Sequence, residues 1–390
     1  MFRFLTSGES HGKALTAILE GVPAGLELDR AGIDRELARR QKGYGRGKRM
    51  QIENDSVQIL SGVRHGLTLG GPITLQIENK DWKNWQESMS IEVPLPGVKR
   101  RVVTRPRPGH ADLAGSLKFA THDARNILER ASARETAARV AVGAVAKCLL
   151  ERFGTRILSH VVSIGPHGLP PGNSIPWEKI EALPDDSPLR CVDPELEKRM
   201  MAAIDEVHQA GDTIGGSFEV VAAGVTPGLG SHTQWDLRLD ALLARALVSI
   251  PSVKGVEIGE AALGARSRGS EYHDDIFYEA KKRSFYRKTN RAGGVEGGVS
   301  NGEEIRARAY VKPLSTLRKK PKQSVDLETK KPFMAAVERS DTNALLAAGV
   351  VGEAVTAIAL VERFLAKFGG DSMEETRRNH QGYLRQLRSF

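Results

Sequence analysis

The sequence predicts an α+β chain forming one domain over residues 1–390. Three observations carry this. Helical periodicity and strand-like runs both occur, they do not alternate strictly enough for a doubly wound parallel sheet, and no low-complexity linker or repeat separates two halves.

Taken in order, Asp29 to Gln41 reads as a short helix stopped by Gly43. Val57 to Leu60 and Ile73 to Ile77 read as strands. From Ser132 to Phe153, Ala137, Val140, Ala141, Ala144, Val145, Cys148 and Leu149 recur at helical spacing, and Gly154 ends the run. Its start, Ser132 to Glu135, has the capping-box pattern, in which each end residue satisfies a free backbone donor of the other. Ile157 to Ile164 and Ser217 to Val221 read as strands, separated by a surface excursion at Gly165 to Ser174 and a helix from Pro194 to Gln209. A helix is expected from Asp236 to Leu247. In Ile305 to Val311, Ile305, Ala307, Ala309 and Val311 alternate with Arg306, Arg308 and Tyr310, which predicts a strand with one wet face. The last predicted helix runs from Thr342 to Lys367.

Composition narrows the setting. No run approaches the roughly 18 apolar residues of a membrane span, and no signal-peptide pattern follows Met1. The expectation is a cytoplasmic protein with no membrane partner. Cys148 and Cys191 have no Cys-x-x-Cys spacing, so neither a disulfide framework nor a metal site is predicted, and Cys148 reads as a small core residue. The net charge of +9 is concentrated in Arg39 to Arg49, Lys99 to Arg107, Lys281 to Arg291 and Lys312 to Lys322, which contain no acidic residue. Solvated loops are the plain reading. Nucleic-acid binding is the sharper one, but it has no use for the glycine loops or for His11 and His110, and few aromatics interleave with the charges.

Several motifs carry chemistry. Gly8 to Gly12 (GESHG) fits the G-x-S-x-G pattern of a serine hydrolase, yet too little chain precedes it for a central-strand elbow. The better reading holds Ser10 and His11 in a glycine-flanked turn that donates hydrogen bonds to a ligand. Gly43 to Arg49 is neither a Walker A loop nor a G-x-G-x-x-G fingerprint, and remains an arginine-bearing loop suited to phosphate or carboxylate. Arg105 to Asp112 (RPRPGHAD) presents Arg107 and His110 on a backbone stiffened by Pro106 and Pro108. Arg130, Arg134 and Arg139 surround the start of the Ser132 helix, whose free amides favour anions. Asn290 to Gly302 holds five glycines in the ten residues from Gly293. Asp341 reads either as the N-cap of the last helix or as a catalytic carboxylate.

In order, GESHG, QKGYGRGKRM, RPGHAD, ERASARETAARVAVGAVAK, SVKGVEIG, NRAGGVEGGVSNGE, VKPLST and ERSDTNALLAAGVVGEA span residues 8 to about 356. Together they resemble chorismate synthase of the shikimate pathway, the last common step of aromatic amino-acid biosynthesis. The resemblance implies a β-α-β sandwich core with long loops, assembled as a homotetramer. It implies 1,4-anti elimination of phosphate from 5-enolpyruvylshikimate 3-phosphate to give chorismate, with reduced FMN required and no net redox change. His11 then matches the histidine beside the leaving phosphate, His110 the one that serves the reduced flavin, and Asp341 the carboxylate acting with flavin N5 in proton removal. Implied substrate contacts are Ser10, Arg46, Arg49, Arg107, Arg134 and Arg339. Implied flavin or nucleotide contacts are Arg40, Arg46, Arg130, Ala131, Ser132, Pro251, Ser252, Gly297, Gly298, Lys312, Pro313, Leu314, Ser315, Thr316 and Arg339. Some members use NADPH through the region of Arg40 and Arg46, whereas others depend on an external flavin reductase. Many members carry Asn-Ala where this chain has Pro251-Ser252, and Pro251 offers neither a side-chain amide nor an N–H.

Overall fold

The structure is a computed structural model that describes residues 2–46, 54–93, 97, 100–172, 174–338 and 340–390. Two antiparallel sheets enclose helices. The first contains β1 (Arg3–Ser7), β2 (Ala14–Glu20), β3 (Val57–Ser61) and β4 (Ile73–Glu78) in the order β1-β2-β4-β3. The second contains β5 (Arg156–Ile164), β6 (His167–Gly168), β7 (Gly216–Ala223), β8 (Val253–Ile258) and β9 (Ile305–Val311) in the order β8-β9-β7-β5-β6.

The helices named below are α1 (Arg30–Gln41), α2 (Asp112–Lys118), α3 (Arg125–Ala131), α4 (Thr136–Glu151), α5 (Pro194–Ala210), α6 (Leu239–Val248), α7 (Leu345–Phe368) and α8 (Met373–Ser389). Helix α4 packs on the first sheet and against α7, which packs on the second. The layers are therefore sheet, helices, sheet, as the resemblance implies. Small residues set the spacing: a Cβ on Gly143 of α4 would stand 2.3 Å from that of Ala354 on α7, and one on Gly352 would stand 2.5 Å from the Phe218 ring on β7. By length and composition α7 could cross a membrane, but 83% of its most apolar window is buried between these layers.

The predicted elements appear with shifted ends. Asp29 caps α1, accepting from the Ala31 and Gly32 amides. Ser132 accepts from the Arg134 amide but caps a single 3-10 turn, Ala133–Glu135, before α4 begins at Thr136. The reciprocal half of the expected capping box is not made, because the Glu135 carboxylate accepts from Thr6 and Arg139 instead. Helix α6 begins at Leu239, after a separate 3-10 turn at Trp235–Leu237.

The wet face of β9 is only partly as predicted: Tyr310 is exposed and Arg308 half-buried, but Arg306 departs from it. Arg306 is buried with Glu219 and Glu304, and Arg308 stands opposite Glu219 in the register, so the neighbouring strand supplies the counter-charge that water was expected to provide. Cys148 is only half-buried, its thiol donating to the Glu27 carbonyl at 3.2 Å. Strands β1 and β2 were not predicted. Their outer face carries Leu5 and Ile18, paired across the strands and exposed, which hides the alternation that marks a strand. Helix α8 was also missed: it buries only Met373, Thr376 and His380 along a polar sequence.

Candidate active site

The turn between β1 and β2 brings Ser10 and His11 under α3. Gly8 makes the approach possible: its φ is +101°, and a Cβ there would stand 2.3 Å from the Ala14 carbonyl oxygen. Arg130 clamps the hairpin from α3 by donating to the Thr6 and Gly8 carbonyls. The Ser10 amide donates to the Glu129 carbonyl at 2.9 Å. Ser132 donates to the Ser10 hydroxyl at 3.1 Å, and its own oxygen receives the Arg134 amide. His11 places Nδ1 2.9 Å from Glu129 Oε1. A strand-turn-strand hairpin cannot be a nucleophile elbow, which needs a strand-turn-helix, and the histidine ring is engaged by Glu129. The hydrolase alternative fails on this geometry.

Arginines converge beside this turn. Arg134 donates to both oxygens of Asp55 at 2.7 Å and to Asn79 Oδ1 at 2.8 Å. Arg40 reaches Asp55 at 3.2 Å and is buried. Burial lowers its pKa to about 10; Asp55 opposes that shift, and the neighbouring cations Arg134 and Arg46 add to it. Among the described residues the buried Arg40 Nε has no hydrogen-bond partner. Arg46 pairs with Asp341 at 3.1 Å. Among the described residues, three guanidinium groups gather around these two carboxylates, a setting suited to an anionic ligand.

Asp341 does not cap α7. Asn343 accepts from the Leu345 amide at 3.0 Å, and the helix begins three residues beyond the expected Thr342. The capping alternative for Asp341 is therefore set aside, and its carboxylate lies among the arginines.

The second histidine stands on the loop before α2. His110 Nδ1 lies 2.5 Å from Asp112 Oδ1 and 3.1 Å from Arg107 Nη2; the tautomer that donates to the carboxylate from Nδ1 keeps Nε2 for a ligand. Arg107 donates to Asp112 through its amide at 3.0 Å and Nε at 2.8 Å, and to Thr316 Oγ1 at 3.2 Å. Although burial opposes ionisation of Asp112, hydrogen bonds from His110 and Arg107 hold its carboxyl well below the usual range. Lys312 is close by, its Nζ 3.7 Å from where a Cβ on Gly109 would be. Among the described residues its ammonium meets only the Pro313 carbonyl, at 3.4 Å, and its pKa is lowered by burial and by Lys254.

Hydrogen bonds, ion pairs and short stretches of chain trace a ring through the two groups. Arg125 on α3 donates to the Arg101 carbonyl, Arg107 to Thr316, and Arg318 to the carbonyl of Ser340, next to Asp341; Asp341 pairs with Arg46, whose charge is felt by Arg40, and Arg40 and Arg134 share Asp55. The remaining expected contacts spread further. Pro251 and Ser252 follow the C-terminal end of α6; Ser252 has φ +72° and accepts from the Lys312 amide at 2.9 Å. Gly297 and Gly298 lie at the other end of α6, where the Leu239 amide donates to the Gly298 carbonyl at 2.8 Å. A ten-residue helix separates the two places by roughly 15 Å, so only an extended ligand touches both. Leu314 accepts from Thr213, and Ala131 closes α3. Arg49 and Arg339 lie outside the described residues.

Asp55, Asn79, Trp85, Asp112 and Glu129 were not singled out from sequence. Asp112 sits inside the quoted motif RPGHAD, where a carboxylate two residues from a histidine is an available signal, and Glu129 opens the motif ERASARETAARVAVGAVAK, where nothing local points to His11. Asp55, Asn79 and Trp85 carried none. The basic runs are only partly solvent-facing: Arg39 pairs with Glu36 and Glu353 in the core, and Arg105 lies over Phe333.

Comparison with known proteins adds three findings. A family model described as chorismate synthase matches residues 2–365. A chorismate synthase of Solibacter usitatus is 54% identical over the full length of both chains, and one of Desulforudis audaxviator is 56% identical over 100% of this chain and 99% of its own. A crystal structure of chorismate synthase superposes with a TM-score of 0.81 at 43% identity, covering 100% of this chain and 99% of that one.

Proposed function

Because this chain belongs to the chorismate synthase family, carbon–oxygen lyases acting on phosphates, we propose that the ring of arginines and histidines is where 5-enolpyruvylshikimate 3-phosphate loses phosphate to become chorismate. The observation that carries this reading is the convergence of Arg40, Arg46 and Arg134 around Asp55 and Asp341, with Arg40 and Arg134 buried. A substrate with one phosphate and two carboxylates offers these guanidinium groups anionic oxygens in a low-dielectric site, where each pairing counts most.

Ser10, Arg46, Arg107 and Arg134 hold the substrate in this reading, with Arg49 and Arg339 joining from outside the described residues. In the elimination the proton at C6 leaves, its C–H electron pair becomes part of the new diene, and the C–O pair departs with phosphate. His11 Nε2 faces the departing phosphate oxygens and stabilises their charge by donating a proton. Asp341, paired with Arg46, is the carboxylate toward which the C6 proton is passed.

The family requires reduced flavin. The donor set fits an anionic flavin nucleotide: among the described residues the Lys312 ammonium meets a single carbonyl, His110 is anchored through Nδ1, and Ser132, Ser315 and Thr316 add hydroxyls. When bound, reduced FMN supplies transient electron density to the substrate and recovers it. The residues proposed to hold it are Arg130 to Ser132, Ser252, Gly297, Gly298 and Lys312 to Thr316, with His110 keeping a proton at its edge. Arg40 and Arg46 are proposed for NADPH if the protein reduces its own flavin, an external reductase being the other route. A cytoplasmic homotetramer is the proposed working form.

The test is anaerobic incubation with 5-enolpyruvylshikimate 3-phosphate and chemically reduced FMN. Phosphate release with chorismate absorbance is expected, and neither appearing overturns the reading. Replacing the reductant by oxidised FMN with NADPH separates the two flavin routes, and light scattering measures the assembly.

A further inference from the structure

His11 is held by a residue to which neither the motifs nor the proposed reaction gives a part. We propose that Glu129 is the positioning residue of His11, fixing which ring nitrogen and which ring plane face the substrate; this rests on the elimination proposed above.

The carboxylate meets His11 in three places. Its Oε1 and Oε2 lie 2.9 and 3.0 Å from Nδ1, and Oε2 accepts the His11 amide at 2.8 Å. With Nδ1–H directed at an acid, Nε2 is the only ring nitrogen left for a ligand, and it has no partner among the described residues. The backbone of the same residue accepts the Ser10 amide, so residue 129 anchors both members of the turn.

Glu129 is itself fixed. It is 3% exposed, and Arg125 donates to it at 3.1 Å while donating to Glu338 at 3.0 Å. The ring plane is set from the side. Trp85 stacks on His11 with centroids 3.8 Å apart and an interplanar angle of 21°, its indole N–H is held by Asp81 at 3.1 Å, and the Arg101 guanidinium lies 4.1 Å from the Trp85 ring centre. A histidine ring locked in plane by an indole and in tautomer by a carboxylate is prepared to give one proton in one direction. In that step the ring starts as imidazolium, the proton moves from Nε2 to the departing phosphate oxygen as the C–O electron pair leaves with the phosphate, and the ring becomes a neutral imidazole with Nδ1–H still on Glu129.

The charges that bear on His11 come from several elements: Glu129, Arg125 and Arg130 on α3, Glu9 and Lys13 on its own turn, Asp81 and Arg101 around Trp85, Glu338 beyond Arg125, and Arg134 beyond Ser132. Of these, the Glu129 carboxylate alone touches the ring. Hydrogen bonds from His11 and Arg125 outweigh burial and hold that carboxyl below its ordinary range, so it stays ionised wherever the enzyme works.

The experiment follows phosphate release against pH for the full-length wild type, Glu129→Gln and Glu129→Asp with saturating reduced FMN. Glu129→Gln is expected to lower kcat at least tenfold with KM changed less than threefold, and to move the alkaline limb of the kcat/KM profile about one unit toward acid. Glu129→Asp restores part of both. A folded Glu129→Gln with kcat within twofold and an unmoved profile overturns the proposal, as does a lowered kcat with an unmoved profile. Nitrogen-15 NMR of the wild-type histidines, with and without inorganic phosphate, decides the matter if the variant does not fold: His11 protonated at Nδ1, with phosphate perturbing Nε2, supports it, and the opposite tautomer overturns it. If the wild type releases no phosphate, the functional reading has failed, while the NMR result still judges Glu129.

Discussion

Replacing Asp112 by asparagine preserves shape and removes one charge at the base of the His110 loop. Asp112 is fully buried and receives the Arg107 amide at 3.0 Å, Arg107 Nε at 2.8 Å and Nη2 at 3.2 Å, and His110 Nδ1 at 2.5 Å. A carboxamide has one oxygen, so its NH2 must face at least one of these donors. The Arg107 guanidinium, 9% exposed, keeps Thr316 but loses its counter-charge. Removing one partner of a buried pair costs about 3–5 kcal/mol; with the loop free to relax and Thr316 retained, about 3 kcal/mol is expected for Asp112→Asn. His110 loses the acceptor that fixes its tautomer, so turnover should fall about a hundredfold. Urea unfolding reads the first effect, and phosphate release under anaerobic reduced flavin reads the second. A variant within 1 kcal/mol of wild type and within threefold in turnover would refute the reasoning, because it would mean that water already screens this carboxylate.

The other expectations concern the core and the helix start. Gly143→Ala should cost about 1–3 kcal/mol by overpacking against Ala354, seen as a lower urea midpoint with unchanged KM. Glu353 is wholly buried between Arg39, Lys147 and Ser159; although burial opposes its ionisation, the two cations hold its carboxyl below the ordinary range. Its stabilisation is therefore present above the ordinary glutamate pKa and lost as pH falls through the lower folded value. Glu353→Gln should destabilise by about 3–5 kcal/mol at neutral pH and flatten the acid side of the stability–pH curve. Asn343→Ala should cost about 1 kcal/mol in thermal melts, by removing the acceptor of the Leu345 amide just before α7, while Asp341→Asn costs less stability and abolishes most turnover. Burial pushes the Cys191 thiol up to about 11, so alkylation at pH 8 should be slow in the native protein and fast in denaturant.

Much of this molecule was readable because its physics is local. Helix α5 announces itself by Asp193 capping and Gly211 in the left-handed conformation at its end. His110 and Asp112 lie two residues apart. What stayed hidden was set by partners distant in the chain. Arg306 looks like a surface residue until Glu219 on the neighbouring strand is known. Asp55 gains meaning only from Arg134, and Trp85 only from His11, and no local pattern connects those pairs. Leu5 and Ile18 misled in the opposite sense, since apolar residues on an exposed sheet face erase the alternation that a strand call depends on.

The glycine-lined seat of α7 on the second sheet bears on how the chain is made. Phe218 and Val220 of β7 face Gly352, yet α7 is translated more than a hundred residues after that strand. At roughly 5–20 residues per second the strand waits several seconds or more for its cover. During that interval an apolar sheet face is open to water and to neighbouring nascent chains, so the emerging polypeptide is a natural client for chaperones that shield hydrophobic surface.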